Sequence, residues 1–117
     1  MSEVPDRGDL AWLVFTPQRG REQAGHRPAL VLSPRIYHER SGLAVVCPIT
    51  SNRQPWPWKV LLPDELPVSG AVLVDQVRAI DRDGRKLRVV GRAPHAVVRD
   101  VQAKLAALLG IGAEGDR

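Results

Sequence analysis

Cys47 is the only cysteine in 117 residues, which excludes an intrachain disulfide and a multi-cysteine zinc site. The three histidines, His26, His38 and His95, show no metal-ligand spacing, so neither a metal site nor a cofactor is expected. No apolar run approaches the ~20 residues needed to span a bilayer. The segment Met1-Ser2-Glu3-Val4-Pro5-Asp6-Arg7 also lacks the apolar core of a signal peptide, so no membrane association is expected and the cytoplasm is the expected compartment. Acidic residues are scarce in one stretch. Between Leu10 and Leu62 only Glu22 and Glu39 stand against Arg19, Arg21, Arg27, Arg35, Arg40, Arg53 and Lys59.

With 44% hydrophobic and 26% charged residues, the composition is that of an ordinary globular protein. One domain is expected over 1–117, with a core at about 6–109 and a flexible tail at 111–117. The net charge of +4 favours a polyanionic partner. Most of the cations are arginines, whose planar fork pairs bidentately with phosphate.

Short apolar runs bounded by turn residues predict strands at Leu10–Phe15, Pro28–Ser33, Leu43–Thr50, Trp58–Leu62, Ala71–Ile80 and Lys86–Val90. A helical turn is expected at Arg35–Arg40. Pro48 cannot donate to a ladder, so its strand must lie near an edge or bend there. Val97, Val98, Val101, Leu105, Leu108 and Leu109 recur at helical spacing between Pro94 and Gly110 and predict one closing amphipathic helix. The fold class is therefore mainly β with a C-terminal helix, a small, strongly bent sheet or SH3-like barrel. Exposed edges and apolar strand faces make a homodimer plausible.

The long polar connection from Thr16 to Arg27 contains Gly20-Arg21-Glu22-Gln23-Ala24-Gly25-His26-Arg27-Pro28, with a carboxylate five residues before a guanidinium in a chain that glycines allow to bend. Glu22 is suited to general-base work and Arg27 to clamping a phosphate. The same residues also suit a solvated loop carboxylate paired with Arg19, Arg21 or Arg27, and a strand-edge arginine. Thr50 ends its strand, where a hydroxyl can reach a phosphate oxygen or merely satisfy β propensity. Arg53 and Trp56 interleave charge with an aromatic face, a pairing that holds backbone while a base stacks. Trp58, entering a strand, is expected in the core, and Cys47 is expected to be a small buried residue. Gln23, Ser51, Gln76 and Arg78 can hydrogen-bond base edges or phosphates. His26 is assigned to loop packing, His38 to a helix surface and His95 to a first helical turn.

Gly8-Asp9-Leu10, the block from Gly20 to Pro34, Pro48-Ile49-Thr50-Ser51 and Val74-Asp75-Gln76-Val77-Arg78 together resemble the MazF/PemK family of toxin endoribonucleases, in order and spacing, from about Asp6 to Leu109. The resemblance implies the CcdB/PemK-like toxin fold, usually as a homodimer. It also implies metal-independent cleavage of single-stranded messenger RNA by 2′-hydroxyl attack, leaving a 2′,3′-cyclic phosphate and a 5′-hydroxyl. The implied catalytic set is Glu22, Arg27 and Thr50, with Gln23, Ser51, Arg53, Trp56, Gln76 and Arg78 at the RNA. The implied protein partner is a cognate MazE-like antitoxin whose acidic tail covers the groove. Thr16 and Trp56-Pro57-Trp58 depart from common family residues, which affects the RNA sequence recognised. A CcdB-like toxin that binds a protein target such as DNA gyrase is the alternative reading on the same scaffold; such a toxin has no need of the Glu22, Arg27 and Thr50 set.

Overall fold

Apolar stretches without alternation are buried on both faces, as residues 29–31 and 46–50 are among the described residues. In the computed structural model, which describes residues 4–15 and 25–112, the elements in chain order are β1 (Asp9–Phe15), β2 (Gly25–Val31), α1 (Arg35–Ser41), β3 (Leu43–Thr50), β4 (Lys59–Leu61), β5 (Ala71–Leu73), a 3-10 turn (Val74–Gln76), β6 (Arg78–Asp81), β7 (Arg88–Arg92) and α2 (His95–Leu109). The antiparallel order is β4-β5-β3-β2-β1-β7, with β6 also paired to β3.

Successive side chains of β1, β2 and β3 divide between two cores. Ala11, Leu13, Phe15, Ala29, Val31, Ala44, Val46 and Ile80 form one core on the inner face of the curled sheet. Leu10, Leu30, Cys47 and Ile49 point the other way and join Val72, Val74, Val97, Val98 and Val101 beneath α2. Each fully buried aliphatic side chain contributes about 1.5–3 kcal/mol, so this double use of three strands lets a short chain build two cores. α2 stops at Gly110, whose φ of 75° lies in the left-handed region, and the Gly110 N–H donates to carbonyls of the last turn.

The mainly β fold with a closing helix is as expected, and four details differ. Among the described residues β7 pairs only with β1 and β6 only with β3, so the sheet curls without closing into a barrel. β2 starts at Gly25, which places Arg27 inside a strand opposite Leu13 instead of in the preceding loop. The single strand expected over Ala71–Ile80 is two strands separated by the 3-10 turn. The last strand lies at Arg88–Arg92 and not at Lys86, because Lys86 sits in the preceding turn with a φ of 55°.

His38 is also a correction. It is fully buried instead of lying on a helix surface. Pro5 offers only a carbonyl at 2.7 Å, so Nδ1 carries the proton and donates. Nε2 is then the acceptor for the Ser33 hydroxyl at 2.6 Å, and Ser33 Oγ in turn accepts the Val45 N–H at 2.8 Å. A seven-residue helix has too few turns for a buried position to show as periodicity.

Candidate functional site

Pro48 organises the site by what it lacks. With no N–H, it interrupts the ladder on one side of β3. β6 pairs with β3 as far as Val46, and β5 takes over at Ile49. The connecting chain, Leu73 to Val77, spends five residues opposite the two residues Cys47 and Pro48. The excess is taken up by the 3-10 turn, which lifts Asp75 and Gln76 out of the sheet, much as a bulge re-aims a side chain. Beneath it, burial pushes the Cys47 thiol up to about 12, with the nearby Asp75 carboxylate adding to the effect.

Register then gathers side chains on one face. Arg27 pairs with Leu13 and Arg78 with Val46, and both of those partners belong to the inner core. The β2–β3 pairing ends at Ala29–Pro48, and Arg27 and Thr50 each lie two residues beyond that last pair on their own strands. The Arg78 guanidinium lies 5.4 Å from the centre of the Phe15 ring, at the end of β1. Thr50 is buried, and its Oγ1 accepts the Asn52 N–H at 3.1 Å. Its own proton stays available as a donor among the described residues.

Gly70 makes this strand end possible. Its φ of 124° suits glycine, and a Cβ there would collide with the Thr50 carbonyl.

Two clefts flank the end of β3. One, of about 450 Å³, is lined by Thr50, Asn52, Trp56, Lys59, Leu73, Asp75 and Gln76. Half-exposed Trp56 donates its Nε1–H to Asp75 Oδ2 at 3.2 Å. Lys59 places its ammonium 3.0 Å from the carbonyls of both Asn52 and Gln54, which ties down the loop carrying Trp56. The second cleft, of about 300 Å³, includes Trp12, His26, Arg27, Ser51 and Ser69. The Trp12 and His26 rings meet there with centroids 5.1 Å apart and planes tilted by 35°.

The structure thus brings Thr50, Trp56 and Gln76 to one cleft, with Arg27 and Ser51 at the other. Arg53 is directed to the Gly70 carbonyl at 3.3 Å. Arg78 stands beside Phe15, and Trp58 packs against the core beneath α2 as expected. Glu22 and Gln23 lie outside the described residues. Among the described residues no group of three or more His, Cys, Asp or Glu side chains is arranged to hold a metal ion.

Asn52, Lys59, Trp12 and Asp75 were not singled out as site residues from sequence. Asp75 lies in the Asp75-Gln76-Val77-Arg78 motif, but its bond to Trp56, 19 residues away, has no sequence signature.

A family model described as PemK-like, MazF-like toxin of type II toxin-antitoxin system matches residues 6–109. The endoribonuclease toxin MazF of Escherichia coli strain K12 is 38% identical over 107 residues, covering 92% of this chain and 96% of that protein. The endoribonuclease toxin ChpB of the same strain is 37% identical over 109 residues, covering 89% of this chain and 93% of that protein. The crystal structure of MazF (Form-I) from Deinococcus radiodurans superposes with a TM-score of 0.90 at 48% identity, covering 94% of this chain and all of that one. A MazE-MazF structure (Form-II) from the same organism gives 0.85 at 48% identity, covering 95% of this chain and 100% of that chain.

Proposed function

The chain belongs to the PemK-like, MazF-like toxins of type II toxin-antitoxin systems, and from that premise we propose that it is an endoribonuclease cutting single-stranded RNA by internal attack, with Glu22, Arg27 and Thr50 as its catalytic residues. The observation that carries this reading is that Arg27 and Thr50, each two residues beyond the last β2–β3 pair, line the two clefts at the end of β3, with the Thr50 hydroxyl proton unused among the described residues at the lip of the Trp56 cleft.

RNA contains its own nucleophile. Glu22 accepts the proton of the 2′-hydroxyl, O2′ bonds to phosphorus, and the bond from phosphorus to O5′ breaks as O5′ gains a proton. The products are a 2′,3′-cyclic phosphate and a 5′-hydroxyl. Charge accumulates on the phosphorane, and the positioned Arg27 guanidinium and Thr50 hydroxyl stabilise it more than they stabilise the ground state. Trp56 stacks a base, worth about 1–3 kcal/mol. Gln23, Ser51, Arg53, Gln76 and Arg78 hold the flanking strand.

Two partners follow. A cognate MazE-like antitoxin blocks the groove, as the MazE-MazF structures among the neighbours suggest. A homodimer covers apolar surface left open at Leu61, Leu108, Leu109 and Ile111, which are 52%, 39%, 59% and 64% exposed.

The test incubates purified protein with long single-stranded RNA in EDTA and maps the ends. Cleavage with cyclic phosphate ends is expected, as is protection by a 2′-deoxy substitution at the cut site. Intact RNA across varied sequences would overturn the nuclease reading and favour a CcdB-like toxin that binds a protein.

A further inference from the structure

The cleft beside Thr50 holds a carboxylate where a polyanion is to bind. Asp75 faces a cavity of about 450 Å³, a size in the range of small-ligand sites, lined on one side by the Trp56 indole. A carboxylate repels phosphate, so Asp75 marks the part of the site that the RNA backbone avoids and a base occupies. The Trp56 Nε1–H fixes Oδ2 of Asp75, and among the described residues the carboxylate has no other hydrogen bond. Oδ1 is therefore a pure acceptor of fixed direction beside an aromatic stacking surface. The Lys59 ammonium does not neutralise this arrangement by pairing with Asp75; it is committed to the carbonyls of Asn52 and Gln54 and holds the loop in place.

We infer that this cleft is a nucleobase subsite for a nucleotide flanking the scissile phosphate, and that Asp75 selects a base bearing an exocyclic amino group and rejects uracil. Adenine, cytosine and guanine each present an amino donor that a carboxylate accepts. Uracil presents carbonyl oxygens, which a carboxylate repels, around a single N–H. Trp56 has two tasks. Its ring face stacks the base, and its N–H orients the carboxylate that reads the base edge. A phenylalanine or tyrosine there performs only the first.

This inference rests on the endoribonuclease reading above, and the two fail differently. Cut sites mapped in a degenerate RNA pool are expected to show uracil depleted about ten- to a hundredfold at one position beside the cut. Replacing the preferred base there with its analogue lacking the amino group, such as purine riboside for adenosine, is expected to slow cleavage by a similar factor. Asp75→Asn, whose amide both donates and accepts, is expected to admit uracil and to lose sensitivity to the missing amino group. Trp56→Phe retains the stacking face and is expected to relax the same position alone. Where a variant cuts too slowly to map, competition binding with uncleavable 2′-deoxy oligonucleotides differing only at that base gives the same comparison. Uracil accepted equally at every position, or an unchanged preference in both variants, would overturn the subsite while leaving the nuclease intact. Absence of any cleavage by the unaltered protein would overturn both.

Discussion

The two ends of β2 use polar groups in opposite ways. At the Ser33 end, Asp9 accepts the Asp6 N–H and an Arg92 N–H, and both His38 nitrogens are bonded. Ser33 accepts one hydrogen bond and makes another. At the Arg27 end, among the described residues, Thr50 accepts a bond and retains a proton, and Asp75 accepts one bond and retains an oxygen. Saturated pairing at the first end fastens the N-terminal segment and α1 to the sheet. Capacity held in reserve at the second is what a substrate can use. A buried group stripped of its partner costs about 1–3 kcal/mol, so reserve capacity is tolerable mainly where solvent or ligand can reach it.

The contrast breaks most visibly at the open end. Thr50→Val or Arg27→Gln is expected to lower kcat about 10²–10³-fold, the usual cost of one transition-state donor, with thermal unfolding nearly unchanged. Equal loss of activity and stability would place these residues with the fastening groups instead. At the other end the expectation reverses. His38→Leu leaves the Pro5 carbonyl and the Ser33 hydroxyl without their buried partner and should cost about 2–4 kcal/mol. Activity per folded molecule should persist, and denaturant titration beside an RNA cleavage assay measures both.

Two smaller effects sharpen the comparison. The unfolded Cys47 thiol ionises from its ordinary 9.0, whereas the folded one keeps its proton until about 12. The native state then binds more protons across that window, so stability should fall as pH rises through it, by at most ~1.4 kcal/mol per pH unit. Cys47→Ala should flatten that slope in urea midpoints measured against pH. The smallest change is expected from Arg92→Ala. The Arg92 bond to Asp9 measures 2.7 Å, but the arginine side chain is 62% exposed, so a loss of about 0.5–1 kcal/mol, reduced by salt, is expected.

Much of the sheet was legible because burial on both faces leaves short apolar runs, as in Leu10–Phe15 and Leu43–Thr50, and α2 was legible from its period. Leu108 and Leu109 continue that period yet remain exposed, because periodicity marks an apolar face without naming what covers it. Pro48 marks the point where β3 changes partners from β6 to β5. It did not announce that the strand opposite would eject a 3-10 turn, since Ala71–Ile80 carries the apolar residues of an unbroken strand. Arg27, Thr50 and Gln76 were recognisable by type and motif. Their placement in two clefts around the end of β3 depends on register, and the Trp56–Asp75 and His38–Pro5 contacts depend on tertiary packing between distant segments.

The exchange of partners along β3 also has a consequence for when the protein is armed. The turn bearing Asp75 and Gln76 rests on α2, and Val74 within it belongs to the core that Val97, Val98 and Val101 complete. A chain emerging from the ribosome can extrude β1 to β3 long before that floor exists. The cleft beside Thr50 acquires support only when the final helix is released, so synthesis of most of the chain and completion of that cleft are separated in time by the order of the sequence itself.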